Sequence, residues 1–233
     1  MDIPKDVETR RVEFREFLEA NIKKLGDERD PKGPLSLEEL QEYYRMLQPT
    51  DILRASLPEE VGGTNRSYLE RILLAEEFAR IWPSLAVTVD SHNIVVEIIA
   101  RQGKPWMKEK YVPGGISGKI IMGDMMSEPD AGSDTRNFQT TAERKDGYFV
   151  VNGKKMWTTN GVWAELAILT AVMNKEEYKR KQTQGVVHLL VDKSVCEWKV
   201  RDLPLIGIRA GTTGYSTFEN CKVPEKYLFH GEG

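Results

Sequence analysis

Gln139-Thr-Thr-Ala-Glu-Arg-Lys-Asp-Gly-Tyr-Phe-Val-Val-Asn-Gly-Lys-Lys-Met-Trp-Thr-Thr-Asn-Gly161 is the stretch whose reading decides the fold. Three dipeptides punctuate it: Asp146-Gly147, Asn152-Gly153 and Asn160-Gly161. Each favours the positive backbone angles of tight hairpin turns. The runs between them are short and β-branched or aromatic. This spacing predicts an antiparallel meander, with strands over 139–144, 148–151 and 154–159. Further along, 166–173, 185–191 and 215–221 have the same character and predict later strands. The polar stretch 174–184 reads as an inserted loop.

Upstream, the period of the apolar residues changes. Val12, Phe14, Phe17, Leu18, Ile22 and Leu25 recur mostly at three- and four-residue steps, which makes one helical stripe. Gly26 offers it a stop. Ser36 caps a second helix, with Glu39 in the capping-box position. A third helix is expected over 68–81, followed by Pro83, and a fourth over 85–100. The run 106–111 predicts a shorter helix, broken by Pro113-Gly114-Gly115. Helices first and strands later argue for α+β rather than a parallel α/β sheet. The expected division is a helical domain, 1–117, and a β domain, 118–233. No GxGxxG or P-loop pattern is present, so a bound nucleotide would need another kind of cradle.

Composition excludes several function classes. Of 233 residues, 40% are hydrophobic and 30% charged, which is enough apolar content for a real core. The formal net charge is -3 and the basic residues are scattered, so nothing points to nucleic acid. No apolar run approaches the roughly 20 residues of a membrane span. The first eleven residues are charged and unlike a signal peptide, so a cytoplasmic protein is expected. Cys196 and Cys221 lie far apart, outside any CxxC arrangement. A disulfide between them stays open, with a reducing cytosol weighing against it. His92, His188 and His230 share no metal-ligand spacing, and no metal is expected.

Two segments carry chemistry. The first is Met122-Gly-Asp-Met-Met-Ser-Glu-Pro-Asp-Ala-Gly-Ser-Asp134. A strand-like run ends at Ser127-Glu128, and Pro129 keeps Glu128 extended. Gly132 permits close backbone approach, and the hydroxyls of Ser127 and Ser133 frame the turn. The second is Asn152-Gly-Lys-Lys-Met-Trp-Thr-Thr-Asn-Gly161. On a strand, Trp157 and Thr159 share one face and Thr158 takes the other. An indole beside a hydroxyl suits an aromatic ligand with polar edges. Each residue also has a plainer role. Ser127 is a good turn residue, Trp157 a good strand aromatic and Asp134 a good turn acceptor. Glu128 reads as held in local hydrogen bonds rather than as a base. Arg209 suits either a phosphate or a salt bridge. Tyr43, Tyr44, Ile94, Ile98 and Ile99 read as core.

Taken in order, these motifs resemble the acyl-CoA dehydrogenase family. Ser127-Glu-Pro-Asp-Ala-Gly-Ser-Asp134 is similar to its first signature and Gly153-Lys-Lys-Met-Trp-Thr-Thr-Asn-Gly161 to its second. Leu57-Pro-Glu-Glu-Val-Gly-Gly63 resembles a turn of its helical domain. Ile206-Gly-Ile-Arg209 through Phe218-Glu-Asn-Cys-Lys-Val-Pro224 resembles the last strands of its middle domain.

The resemblance implies an all-helical domain followed by an antiparallel, barrel-like β domain. It implies FAD, with Asp124, Met125, Met126, Ser127, Gly132, Ser133, Trp157, Thr158 and Thr159 at the cofactor. Met126 and Ser127 would lie nearest the ring, bonding through backbone and hydroxyl, and Ser133 would also touch the CoA arm of the substrate. The implied activity is α,β-dehydrogenation of an acyl-CoA thioester, with electrons leaving past Trp157 to an electron-transferring flavoprotein. A tetramer is implied as well. In the family the catalytic carboxylate belongs to a further helical domain that would follow Pro224. No base is therefore expected in this chain, which reads as a fragment or a split subunit, inactive alone. The competing reading is a non-catalytic binding or assembly subunit. Five positions depart from the usual pattern. Ser127 replaces threonine, Thr158 replaces isoleucine, Asp124 stands where an aromatic or small residue is usual, and Met125-Met126 is bulkier than usual.

Overall fold

The computed structural model describes residues 3–181 and 185–230. The chain divides into two compact units. One comprises residues up to Lys119 together with Leu205–Gly211, and the other Ile120–Pro204 together with the chain from Thr212 onward. The division is thus not two consecutive blocks, because 205–211 counts with the helices.

The first unit is built from six helices: α1 (Lys5–Asn21), α2 (Lys23–Arg29), α3 (Leu37–Leu47), α4 (Tyr68–Ile81), α5 (Pro83–Gln102) and α6 (Pro105–Ile116). Ser36 accepts from the Glu39 amide and the Glu39 carboxylate accepts from the Ser36 amide, so the capping box forms as its spacing predicts. Gly26 is not a stop. The first helix breaks at Ile22, and Gly26 lies inside α2, buried. A Cβ there would lie 2.9 Å from the Trp82 ring, so the glycine serves close packing. The expected break at Pro113-Gly114-Gly115 is also absent. α6 runs through it to Ile116, because Met107, Tyr111, Val112 and Gly115 are buried and the buried His92 ring bonds the Gly115 carbonyl at 2.9 Å. Burial pushes the His92 ring down to about 4, so it is neutral near pH 7.

Buried carboxylates tie these helices together. Glu77 of α4 is fully buried, and Arg11, Arg15 and Arg80 reach it at 2.7, 2.6 and 3.0 Å. Glu70 receives Arg10, and Glu97 of α5 receives Arg71 and Arg101. Asp30 holds the excursion at 205–211. It accepts from Trp82 Nε1, Ser84 and the Ala210 amide, and pairs with Arg209 at 3.5 Å. Arg209 thus makes the salt bridge that its reading allowed.

The second unit is one sheet of eight strands: β1 (Met122–Met125), β2 (Thr141–Lys145), β3 (Tyr148–Thr159), β4 (Leu166–Val172), β5 (Val186–Asp192), β6 (Lys199–Asp202), β7 (Thr213–Pro224) and β8 (Leu228–His230). The order is β6-β7-β3-β2-β4-β5-β8, with β1 on β4. The sheet does not close, so barrel-like is a loose description. It is mostly antiparallel, but β1 pairs parallel to β4 and β2 meets β4 in parallel at one position.

Asp146-Gly147 makes the expected hairpin turn between β2 and β3. Asn152-Gly153 does not turn the chain. β3 runs straight through it, and the register against β7 slips between Val151 and Gly153. Gly153 adopts φ 149°, and a Cβ there would lie 2.5 Å from Thr140, so this glycine makes a bulge. The polar stretch after Met173 contains helix α7 (Lys175–Lys181), not only loop, and residues 182–184 lie outside the described residues. Cys196 and Cys221 form a disulfide, with Cα atoms 5.3 Å apart.

Candidate functional site

The two chemistry-bearing segments lie side by side in the second unit. The Met156 amide donates to the Ser127 carbonyl at 2.8 Å. Next to that bond is a residue that sequence reading overlooked. Lys155 is fully buried, and its Nζ donates to the Met126 carbonyl and to Glu128 Oε1, both at 2.8 Å. The same ammonium stands 4.8 Å from the centre of the Phe138 ring. Burial pulls the Lys155 pKa down while Glu128 opposes the shift. Glu128 also accepts from the amides of Gln139 at 2.6 Å and Thr140 at 3.1 Å. Both of its oxygens are therefore occupied, as expected of an acid held in local hydrogen bonds. From α7, Tyr178 stacks on Phe138, accepts from its amide and donates to the Thr135 carbonyl.

Lys155 was hard to read because a charged residue in a strand is by default on the solvent face. Phe149, Val151 and Lys155 point inward in one alternation along β3, and a dipeptide taken for a turn hides that continuity. A lone clue was present: of two adjacent lysines on one strand, one must point away from its neighbour's face.

The nine residues named from sequence do not all face one way. Asp124, Met126, Ser133 and Trp157 are exposed, while Ser127, Gly132 and Thr159 are half-buried. Met125 and Thr158 are buried, with Met125 turned to the opposite side of β1 from Asp124. Thr158 lies inward as strand alternation predicts, 3.2 Å from where a Gly123 Cβ would stand. Gly132 is not required by packing: an added Cβ would meet only Ser127 Oγ, at 3.8 Å. The carbonyls of Met126 and Ser127 each accept one bond within the protein. Asp134 pairs with Arg136 at 2.6 Å and accepts from its amide, which is the turn role.

Trp157 is the unusual member. It is 57% exposed and adopts φ 65°, the left-handed region that a bulky residue seldom enters. The β3–β7 register slips between Lys155 and Thr158, so the indole is re-aimed by a second bulge. Asn160 beyond it has φ 65° as well. Strain of this kind costs about 1–3 kcal/mol and persists where its surroundings impose it.

Residues 4–119 match the model of the acyl-CoA dehydrogenase N-terminal domain, and residues 123–221 match that of the acyl-CoA dehydrogenase middle domain. The chain belongs to the acyl-CoA dehydrogenase family. Mitochondrial isovaleryl-CoA dehydrogenase of Arabidopsis thaliana is 35% identical over 82% of this chain and 46% of its own length. That of Pongo abelii is 31% identical over 92% of this chain and 50% of its own. The solved glutaryl-coenzyme A dehydrogenase in complex with glutaryl-CoA superposes on all of this chain and 58% of its own, with TM-score 0.88 and 27% identity. The chain spans about half the length of the curated relatives it matches. Among the described residues, no helix is long and apolar enough to cross a membrane, and no group of side chains could hold a metal ion.

Proposed function

We propose that this chain supplies the flavin-facing surface of an FAD-dependent dehydrogenase acting on the α,β-bond of an acyl-CoA thioester. The observation that carries the reading is Trp157, kept exposed on a strained bulge beside the first family signature. A fold that holds a large indole at its surface at a cost in backbone energy has a use for it there. The surroundings fit an isoalloxazine ring. Trp157 offers a flat apolar face, Met126 an exposed and polarisable thioether, and Ser127 and Thr159 half-buried hydroxyls at the margin. Bound FAD supplies the hydride acceptor for the acyl β-carbon.

The chain's own residues orient the reactants. Lys155 and Glu128 fix the loop 126–128 from below, so the groups above it need not reorganise when a ligand arrives. Ser133, exposed after the turn, is the group assigned to the CoA arm. Glu128 is already occupied by donors, and the base that takes the α-proton is assigned, by the family resemblance, to a carboxylate outside these 233 residues. An electron-transferring flavoprotein is the proposed acceptor, and a tetramer the proposed assembly.

The test is anaerobic mixing of the full-length protein, loaded with FAD, with short, branched and dicarboxylic acyl-CoAs. Bleaching of the flavin by at least one acyl-CoA, and none by the free acids, is expected. A flavin left oxidised by the whole panel would contradict the assigned reaction. Turnover by the 233-residue chain alone would contradict the assignment of the base.

A further inference from the structure

The exposed face of β1 carries a carboxylate that no described residue pairs. Asp124 sits two residues before Met126 on the exposed side of that strand, opposite Ile168 of β4 in register. Among the described residues its carboxylate makes no hydrogen bond and no ion pair. Lys155 acts on it through space, but that ammonium is bonded to Glu128 and the Met126 carbonyl. Crowding by surrounding protein raises the Asp124 pKa above the ordinary aspartate value, and Lys155 opposes the rise. An acid that is accessible yet crowded, and left without a donor, is poorly stabilised until something brings one. Two other acids of this region are committed: Glu128 to Lys155 and two amides, and Asp134 to Arg136.

We propose that Asp124 is a cofactor-contacting acceptor, and that its charge lowers the reduction potential of the flavin bound at this surface. The inference rests on the flavin reading above and adds a residue-specific function to it. A fixed negative charge beside the ring disfavours the electron-rich reduced form relative to the oxidised one. A hydrogen bond from ligand to carboxylate would contribute to holding the cofactor as well. Asp124 thus tunes the driving force of the redox step, where a neutral residue at the same position would not.

The experiment compares wild-type, D124N, D124L and D130N full-length holoproteins. Asp130 is exposed on the neighbouring turn, so D130N removes the same charge nearby but off β1. Midpoint potentials are measured by dye equilibration, and FAD dissociation constants by titration of the apoproteins. Thermal melts establish that the variants fold, as expected for an exposed position. The midpoint of D124N should be more positive than those of wild type and D130N. D124L should bind FAD about tenfold more weakly, the loss of one charged hydrogen bond. A D124N potential no more positive than that of D130N, or an unchanged D124L dissociation constant, overturns the inference. If the wild-type protein binds no FAD, the flavin reading fails, and the inference fails with it.

Discussion

Trp157 and Lys155 stand two residues apart on β3 and do opposite things. Trp157 is exposed and strained, so its removal should be tolerated by the fold. Glycine adopts φ 65° without a Cβ penalty. W157G should therefore melt within about 1 kcal/mol of wild type, or above it. Its affinity for FAD should nevertheless fall about two- to tenfold, from loss of an aromatic contact contributing about 0.5–1.5 kcal/mol. W198A is the contrast: Trp198 is buried beside Phe218, so that variant should lose stability first. Equal flavin affinities for wild type and W157G would remove the indole from the site. Lys155 is the reverse case. K155M leaves the buried Glu128 carboxylate without its cation and should cost about 3–5 kcal/mol in urea unfolding. Adding E128Q to K155M should restore part of that loss. A double variant no more stable than K155M would mean the pair is not coupled.

At the scale of elements, the seam between α1 and α4 makes a prediction about pH. The guanidiniums of Arg15, foremost, and Arg11 on the buried Glu77 hold its pKa at about 2 against an ordinary 4.5. A carboxylate depressed on folding contributes stability that is present above its unfolded pKa. That contribution drains away as pH falls from about 4.5 toward 2. Urea midpoints of wild type should fall across that window more steeply than those of E77Q, which starts lower at neutral pH. Parallel slopes would show that Glu77 is not the acid-sensitive group. The same scale shows what sequence could and could not reveal. Ser36 and Glu39 were legible because a capping box is closed by residues three apart. Asn152-Gly153 was misread because the dipeptide reports local backbone freedom, which a bulge needs as much as a turn does. The break expected at Pro113 failed because burial of one face of α6 outweighed local propensity. The parallel pairing of β1 with β4 depends on partners more than forty residues apart, which no local pattern records. In the site, Trp157 and the loop 124–133 could be named from motif order. The facing of Trp157 could not, since it depends on the register shift between Lys155 and Thr158, and Lys155 stayed hidden because an expected turn cut it off from Phe149 and Val151.

For the molecule as a whole, the proposal is that the open mixed sheet of the second unit presents a flavin-binding surface built from the two signatures. The signatures meet through Met156, Ser127, Lys155 and Glu128, all within the second unit. The loop 205–211 returns to the first unit and is anchored on Asp30, so the chain crosses between its two units more than once. The claim is tested most directly by titrating FAD into flavin-free full-length protein and following the visible absorption and the tryptophan fluorescence together. The account predicts saturable binding of one flavin per chain, with quenching of tryptophan emission that is largely lost in W157G. Absence of saturable binding, or quenching in W157G equal to that in wild type, would contradict it.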